Sequence, residues 1–279
     1  MTKDKYSAIW VSHSSMGNFL KCPRLYYLSN VYKDPLTYRR IAIVNPHFSL
    51  GGTVHEVLEG LGEVPATERM SQDLLHIFKS KWQSVSGKKG GFNSIEEEKT
   101  YFDRGEKMIE MVVNNPRFLV NKCVKLPKNK MNPNFYLSES ENIILNGLVD
   151  WLEYLPDTDS LHIVDFKTGK NEEEEGSLQL PIYLLLCNAL QKRPVTKASY
   201  WYLETDRFVQ KDLPNAQEAK NIVLDIAMKI KKARQKGELN CPKGELGCHY
   251  CRPFEKILKK EKGVEKVGVN SMNQDLYKI

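Results

Sequence analysis

Two aspartates and a lysine in the middle of the chain have the residue types and spacing for metal-assisted hydrolysis. Asp165 and Lys167 stand two positions apart in the run Leu161–Lys167, whose β-branched and aromatic content predicts a strand. Residues i and i+2 of a strand project to one face, so the carboxylate and the ammonium should point into one site. Asp150 lies in the preceding predicted strand, Ile143–Tyr154. If the two strands pair as an antiparallel hairpin, both carboxylates can reach one divalent ion.

Hard oxygen ligands of this kind favour Mg²⁺ or Mn²⁺ as the bound ion. Such an ion polarises a phosphodiester and lowers the pKa of a bound water, and Lys167 can steady that water or the developing charge. An Asp-x-Lys pair alone is more often a solvated ion pair worth about 0–1 kcal/mol. The hydrolytic interpretation therefore depends on other motifs of the chain.

Motifs between residues 12 and 183 supply that support, because their order and spacing resemble those of RecB-type nucleases in the PD-(D/E)XK superfamily. The motifs are Ser12-His13-Ser14-Ser15, Cys22-Pro23-Arg24-Leu25-Tyr26-Tyr27, Gly51-Gly52-Thr53-Val54-His55, Gly147-Leu148-Val149-Asp150, Asp165-Phe166-Lys167-Thr168-Gly169-Lys170 and the pair Gln179 and Tyr183. Each is weak alone, but together and in this order they are specific. The resemblance covers most of the chain and implies a restriction-endonuclease-like core.

The resemblance also implies a role for each motif residue. The implied ligands of the active-site ion are the side chains of His55, Asp150 and Asp165 and the backbone carbonyl of Phe166. Lys167 would be the catalytic lysine, while Gln179 and Tyr183, at i and i+4 on one helix face, would support the site or contact DNA. As structural alternatives, His55 and Tyr183 can be core residues and Gln179 an exposed one. Glu59, near His55, is expected on the helix surface in a supporting role, and Glu56 is expected there too.

Cysteines near the C-terminal end predict a second, structural metal centre. Cys241, Cys248 and Cys251 form a C-x₆-C-x₂-C group, and C-x-x-C is a recurrent metal-binding turn. The resemblance adds Cys22, since relatives such as the AddB and CRISPR-adaptation nucleases hold an iron–sulfur cluster with one early and three late cysteines. Those relatives commonly place a last cysteine where this chain has Ile257. A [4Fe-4S] cluster is therefore favoured on family grounds, and Zn²⁺ fits four thiolates equally well.

The elements that must position these residues are predicted from helix caps and strand patterns. Predicted helices start at Ser12 or Ser14, at Pro23, at Thr53 (to about Leu61), at about Ser71 (to Val85), after Ser94, near Leu178 and near Asn215. Predicted strands are Phe135–Ser138, Ile143–Tyr154, Leu161–Lys167, Val195–Glu204 and Phe208–Leu213. The acidic run Glu172–Glu175 should be a solvated loop, because like charges repel. This order predicts an α/β fold with a central mixed β-sheet flanked by helices.

The length of 279 residues and the 41% hydrophobic content suffice for a full core. We expect one nuclease domain over residues 1–279, with a helical insertion at 60–130 and a C-terminal cysteine-bound clasp and basic tail at 237–279. Cys123 and Cys187 lie among apolar residues and should be buried structural thiols.

Charge and hydropathy limit the partners. A net charge of +6 is compatible with a polyanionic partner. The sequence has no run of 18 apolar residues and no apolar core of a signal peptide at the start. We therefore expect a cytoplasmic protein that does not associate with a membrane. Without a P-loop, the chain should work alone or with a separate helicase or other repair or recombination protein.

The sequence therefore predicts a metal-dependent DNA nuclease, favouring an exonuclease on single-stranded or frayed ends. The main alternative is a nucleic-acid-binding or assembly subunit that keeps the fold without useful catalysis. A small zinc-binding interaction protein would explain the cysteines but not the strand of Asp165 or the helix of Gln179. Cleavage polarity and the choice between DNA and RNA stay open.

Overall fold

The computed structural model describes residues 4–127, 132–174 and 176–279. The α-helices in these ranges are α1 (His13–Lys21), α2 (Pro23–Tyr26), α3 (Pro46–Gly60), α4 (Leu74–Trp82), α5 (Ile95–Asn114), α6 (Gln179–Leu190), α7 (Ala216–Lys236) and α8 (Arg252–Leu258). The strands are β1 (Ile9–Val11), β2 (Arg40–Ile43), β3 (Asn134–Ser138), β4 (Ile143–Asn146), β5 (Trp151–Leu155), β6 (Ser160–Lys167), β7 (Val195–Tyr202), β8 (Arg207–Lys211), β9 (Glu265–Val269) and β10 (Gln274–Lys278). No helix among the described residues is long and apolar enough to cross a membrane.

The strands form three sheets, with the orders β1-β4-β3, β2-β10-β9 and β5-β6-β7-β8. The four-stranded sheet is mixed, because β6 and β7 are parallel while β5 and β8 are antiparallel to their neighbours. The β2-β10-β9 sheet is also mixed. The fold is thus α/β, with mixed sheets flanked by helices, as the sequence predicted.

The chain divides into two compact units. The unit that we call the carboxylate unit comprises Pro46–Phe135 and Asn146–Lys220. The unit that we call the cysteine unit comprises Met1–Asn45, Tyr136–Leu145 and Asn221–Ile279. The predicted helical insertion belongs to the carboxylate unit; its described part holds α4 and α5, and residues 128–130 lie outside the described residues.

Alternation along β6 gives the carboxylate unit its two different sheet faces. Phe166 packs into a buried cluster with Val54 of α3 and Phe78 of α4. Asp165, the preceding residue of the strand, instead contacts Tyr183 of α6. The helices before the sheet therefore bury one face, and α6 lies against the face that carries the polar residues.

Local capping explains where the early helices begin. Ser12 accepts a hydrogen bond from the backbone of Ser15 and caps α1. Ser94 caps α5 by accepting from the backbone N–H of Glu97, at 3.1 Å. Both predicted starts are confirmed. The helix predicted from Thr53 in fact begins earlier, at a proline that suits the first helical turn.

One predicted strand, Ile143–Tyr154, is wrong, because the structure has β4 and β5 in its place. The backbone N–H of Gly147 donates to the carbonyl of Pro133, which takes the chain out of the β4 ladder. A Cβ at Gly147 would lie 2.8 Å from Cδ1 of Leu186, so a larger residue here would require the leucine side chain to shift. Asp150 consequently lies in the bend directly before β5 and not within a strand.

The C-terminal segment differs from the predicted basic tail. After the cysteines it forms α8 and the antiparallel pair β9–β10, and β10 also pairs in parallel with β2. Neither β9, β10, β1 nor β2 was predicted. Each has at most five residues, and its partner strand is chosen by contacts that a local pattern does not encode.

The acidic run Glu172–Glu175 has no helix or strand over its described part. Glu175 lies outside the described residues. Glu172 accepts from Arg207, as a surface residue would. Glu173 departs from the prediction, because its carboxylate contacts Lys167.

Candidate active site and cysteine centre

The two aspartates meet where β5 and β6 pair. The ladder is antiparallel with Trp151 opposite Val164, so Asp150, one residue before β5, lies opposite Asp165. The predicted pairing is therefore confirmed. An Asp150 carboxylate oxygen accepts a hydrogen bond from the backbone N–H of Phe166, at 2.9 Å. This bond fixes the first carboxylate against the strand that carries the second.

Lys167 shares the face of Asp165, as strand alternation predicted. Its Nζ lies 2.8 Å from Asp165 Oδ2 and 2.7 Å from Glu173 Oε2. Burial lowers the pKa of Lys167, but the two carboxylates outweigh it and raise the pKa above its usual value. Glu173 is therefore a site residue and not the solvated loop residue that the sequence predicted. The ion pair between Glu173 and Lys167 offsets the repulsion between Glu173 and the neighbouring glutamates of the acidic run.

Gln179 and Tyr183 of α6 both reach Asp165, as their i, i+4 spacing allows. Gln179 Nε2 donates to Asp165 Oδ1 at 2.7 Å, and its Oε1 accepts from Lys167 Nζ. The Tyr183 hydroxyl donates to the same Oδ1 at 3.3 Å. Of the predicted alternatives, an exposed Gln179 does not occur. These contacts hold the carboxylate and the ammonium in one orientation.

Asp165 is an unusually placed carboxyl group, with 1% of its surface exposed. Burial raises its pKa, and the nearby Asp150 carboxylate raises it further, to about 7. Lys167 and His55 act in the opposite direction. A strongly perturbed carboxyl beside charged partners is a common property of functional sites.

His55 of α3 approaches Asp150 from the other side. Its Nδ1 lies 3.3 Å from Asp150 Oδ2 and 3.5 Å from Glu59 Oε1, one helical turn on. Burial lowers the pKa of His55, but these carboxylates prevail and raise it to about 10. The imidazole is thus drawn into the polar site, although its ring also packs edge-on against Phe166.

His55, Glu59 and Asp150 form a donor group suited to a divalent cation. One ligand atom from each lies within 4.8 Å of the others. The two carboxylates match the preference of Mg²⁺ and Mn²⁺ for oxygen ligands, and the imidazole adds a nitrogen donor. Asp165 stands outside this closest group, since its oxygens contact Lys167, Gln179 and Tyr183.

Glu59 is the residue whose position the sequence only partly anticipated. It was expected on the helix surface in a supporting role, whereas its carboxylate belongs to the donor group. The i, i+4 spacing from His55 was the available signal, because residues four apart share a helix face. Glu56 lies on the surface as expected and pairs with Lys81, at 2.5 Å.

A cavity of about 530 Å³ adjoins this donor group. Asp150 and Glu59 line it together with Trp151, Leu148 and Lys125. The volume is in the range of small-ligand sites in proteins. The cavity gives a substrate access to the carboxylates.

The four cysteines of the predicted structural centre come together in the cysteine unit. The Sγ atoms of Cys22, Cys241, Cys248 and Cys251 all lie within 4.8 Å of one another. The Cys248 and Cys251 sulfurs are 3.9 Å apart, too far for a disulfide. A tetrahedron with metal–sulfur bonds of about 2.3 Å has edges of roughly 3.8 Å. The group therefore has the size of a single tetrahedral metal site.

The backbone around the cysteines favours thiolates at part of the group. Burial raises the pKa of Cys248, but backbone N–H groups of Cys251 and Tyr250 outweigh it and lower the pKa to about 7. At Gly247, with φ +70°, a Cβ would lie 3.0 Å from Cys251 Sγ. The positive φ favours glycine, and a larger residue would also crowd the sulfur.

The two remaining cysteines lie outside this group. Cys187 is fully buried in α6, and burial raises the pKa of its thiol to about 12. Cys123 is half-buried, which is less than predicted, and its sulfur lies 3.0 Å from an Arg69 nitrogen. Both cysteines belong to the carboxylate unit, whereas the group of four sulfurs belongs to the cysteine unit.

The chain was compared with protein-family models and with curated proteins. The family model described as the PD-(D/E)XK nuclease superfamily matches residues 10–254, which include every predicted site residue. No curated protein matches the chain.

Proposed function

Since the chain belongs to the PD-(D/E)XK nuclease superfamily, we propose that it is a RecB-type, metal-dependent exonuclease that hydrolyses single-stranded or frayed DNA ends. The family itself implies a nuclease that uses a divalent metal ion. The RecB type is supported by the order of the motifs from Ser12 to Tyr183. A separate helicase or other repair or recombination protein would be its partner.

The observation that carries the proposal is the convergence of charged groups around Asp165. Asp150 lies opposite it, Lys167 contacts it, and His55 and Glu59 complete the carboxylate side. A fold retained only for binding or assembly would have no need to keep all these groups in contact. The alternative of an inactive subunit is for this reason the weaker one.

His55, Glu59 and Asp150 would hold the ion, with Asp165 beside them. We keep Asp165 and the carbonyl of Phe166 as proposed ligands from the family resemblance. When bound, a divalent ion supplies Lewis-acid activation of the phosphodiester and of a water molecule. The raised pKa of Lys167 favours the ammonium form.

An ammonium at this place has a specific chemical role. Lys167 can donate hydrogen bonds to a phosphate oxygen on which negative charge develops, and it cannot act as a base while protonated. Gln179 and Tyr183 would keep the Asp165 carboxylate oriented by binding its Oδ1, while Oδ2 contacts the lysine. The lysine, Asp150 and Asp165 are the proposed catalytic residues.

At the cysteines we propose a structural metal, separate from the nuclease ion. Soft thiolates select zinc or iron–sulfur centres, and carboxylates select harder ions, so the two sites should not exchange metals. The sulfur spacing supports Zn²⁺, because a [4Fe-4S] cubane inside the four thiolates needs them farther apart. This differs from the cluster favoured on family grounds.

The test of function is cleavage of matched substrates in the presence of Mn²⁺. Linear single-stranded DNA, linear duplex, closed circular single strands and RNA of the same sequence would be compared by gel electrophoresis. An exonuclease degrades the linear single strand progressively from a labelled end and leaves the circle intact. Asp165→Asn, which keeps the size of the side chain, should abolish the cleavage.

Four outcomes would contradict the proposal. Cleavage of the circle indicates an endonuclease, and preference for RNA changes the substrate. If Asp165→Asn cleaves as well as the wild type, Asp165 is not part of the active site. If the wild-type protein cleaves no substrate while its cysteine-bound metal is retained, the proposed nuclease site is wrong.

A further inference from the structure

The two units of the chain differ strongly in charge. The cysteine unit has 20 lysines and arginines against 11 aspartates and glutamates, an excess of nine positive charges. The carboxylate unit has 21 basic and 24 acidic residues, an excess of three negative charges. The net charge of +6 therefore comes from the unit without the nuclease carboxylates. A polyanion would be attracted to the cysteine unit.

A cavity of about 410 Å³ lies within this cationic unit. Its lining includes two guanidinium groups, one aromatic ring, one amide and apolar side chains. The residues concerned are Arg24, Tyr27, Val31, Arg234, Leu239 and Asn240. Among the residues that the structure describes, none of those that line this cavity carries a carboxylate.

The two arginines retain donors for a ligand. Glu255 accepts from Nε of Arg24 at 2.6 Å and is its only ion-pair partner among the described residues. Arg234 is exposed and lies beside the hydroxyl of Tyr26. A guanidinium has five N–H donors in a planar fork, so each arginine keeps donors for a phosphate.

Tyr27 adds a flat apolar surface to the same cavity. Its ring is half-buried, and the Arg24 guanidinium lies 5.3 Å from its centroid. Bases of single-stranded nucleic acids stack on such rings, whereas bases of a duplex are already stacked on each other. Asn240 offers both a donor and an acceptor to a base edge.

We propose that this cavity is a second nucleic-acid site, which binds one phosphate and an unpaired base of a single strand outside the nuclease centre. The phosphate would take the arginine donors, and the base would lie on Tyr27. The proposal rests on the proposed nuclease function for the identity of the polyanion. It assigns the recognition of unpaired strands to the cysteine unit.

The cavity is built from chain segments next to the cysteines. Arg24 follows Cys22 by two residues, and Asn240 directly precedes Cys241. The segments are far apart in sequence, and a buried cluster that includes Cys22 and Cys251 helps to hold them together. The shape of the cavity should therefore depend on the cysteine centre.

The test measures binding apart from cleavage. A fluorescent oligothymidine of roughly 15 nucleotides, a length that spans one single-strand site, would be titrated by anisotropy in the Asp165→Asn background. Arg234→Ala should weaken binding about tenfold and reduce the slope of log K against log salt by about 0.7, the value for one phosphate contact on a single strand. Arg234→Lys should lie between, since it keeps the charge and loses the fork.

Lys262→Ala is the matched control, because it removes one exposed positive charge of the same unit outside the cavity. It should change the affinity less than about twofold, as expected for an uncontacted surface charge. Tyr27→Leu should weaken binding about fivefold or more, the effect of losing one stacked base. The same change should have no effect on an abasic oligonucleotide of equal length.

Equal affinities of Arg234→Ala and Lys262→Ala would overturn the proposal, provided that both variants keep their circular dichroism and cysteine-bound metal. If Tyr27→Leu weakens the binding of abasic DNA as well, Tyr27 does not bind a base and that part of the proposal is wrong. If the wild-type protein cleaves nothing but binding still depends on Arg234, the nuclease function fails and this site stands. If cleavage is normal and binding does not depend on Arg234, the nuclease function stands and this second site is wrong.

Discussion

The ammonium of Lys167 lies 2.7 Å from the carboxylate of Glu173, a residue of the loop that follows the strand. Together with Asp165, this second carboxylate counteracts the burial that would otherwise lower the pKa of the lysine. The lysine therefore stays protonated at a place where most of its solvation has been removed. The protonation state of Lys167 therefore depends on the position of the loop that carries Glu173.

Replacing Glu173 by Gln should move the alkaline limit of cleavage to lower pH. With one carboxylate fewer, the pKa of Lys167 falls, so the required ammonium is lost earlier as pH rises. The measurement is the pH profile of kcat/KM. Glu172→Gln is the control, because Glu172 contacts Arg207 and not the lysine. Identical profiles for both variants would exclude this role of Glu173.

Lys167→Ala should reduce cleavage at least about 100-fold, the usual cost of removing a charge that stabilises a transition state. Metal binding should persist, because the donor group of His55, Glu59 and Asp150 is left intact. Single-turnover cleavage and Mn²⁺ titration calorimetry separate the two properties. A variant that cleaves normally would show that the lysine is only an ion-pair partner.

Glu59→Gln should weaken Mn²⁺ binding about tenfold or more, the scale of effect for groups that hold a metal site. His55→Ala should do the same. Glu56→Gln is the matched control, since Glu56 lies on the same helix but pairs with Lys81. Calorimetric affinities that fall equally in both glutamate variants would indicate a general charge effect and no ligand role.

Asp275 should make a pH-dependent contribution to the stability of the cysteine unit. It is fully buried, accepts from Thr37 at 2.6 Å and lies 2.7 Å from Lys266 Nζ. Burial raises its pKa, but Lys266, Thr37 and Arg39 prevail and lower the pKa below its usual value. A carboxyl group whose pKa is lower in the folded than in the unfolded state stabilises the fold at every pH above its unfolded pKa. This stabilisation is lost as the pH falls through the folded pKa.

Asp275→Asn should thus lower the free energy of unfolding at pH 7 by about 1.5–3 kcal/mol, the range for hydrogen bonds to charged groups. The difference from wild type should shrink once the pH falls below about 4. Asp225→Asn, which removes an exposed pair with Lys229, should cost less than about 1 kcal/mol. Urea unfolding over a pH series measures both. A deficit that stays constant down to low pH would refute the ionic explanation.

Cys22→Ser should release the structural metal and lower solubility and thermal stability, because a thiolate ligand is lost from a four-sulfur group. Cys187→Ser is the control, since Cys187 is equally buried but apart from the group. Elemental analysis of protein purified without oxygen or chelators should find one zinc per chain. Brown protein containing iron would instead support the [4Fe-4S] cluster, and neither metal would exclude the centre.

The sequence by itself determined the elements whose signals are local. Ser12 and Ser94 cap the helices that begin beside them, because a cap acts within three residues. Asp165 and Lys167 share a strand face because the side-chain period of a strand is two. The family motifs contained His55, Asp150, Asp165 and Lys167 but not Glu59 or Glu173, and their spacing already placed Gln179 and Tyr183 on one helix face.

Only the tertiary structure decided how separate segments meet. Asp150 lies in a bend because the backbone at Gly147 bonds to Pro133, a partner that no local pattern indicates. Glu173 contacts Lys167 because the loop folds back over the strand end, and sequence patterning shows only a run of like charges. These contacts join residues that are not periodic neighbours, so their energies depend on the folded chain.

The same reason applies to the cysteines and to the charge of the chain. The spacing of Cys241, Cys248 and Cys251 predicted a metal-binding turn, but the approach of Cys22 to within 4.8 Å is a long-range contact. Likewise, a net charge of +6 says nothing of its distribution. Folding separates the charge into a cationic unit and an acidic one, because it gathers segments from both ends of the chain into the same unit.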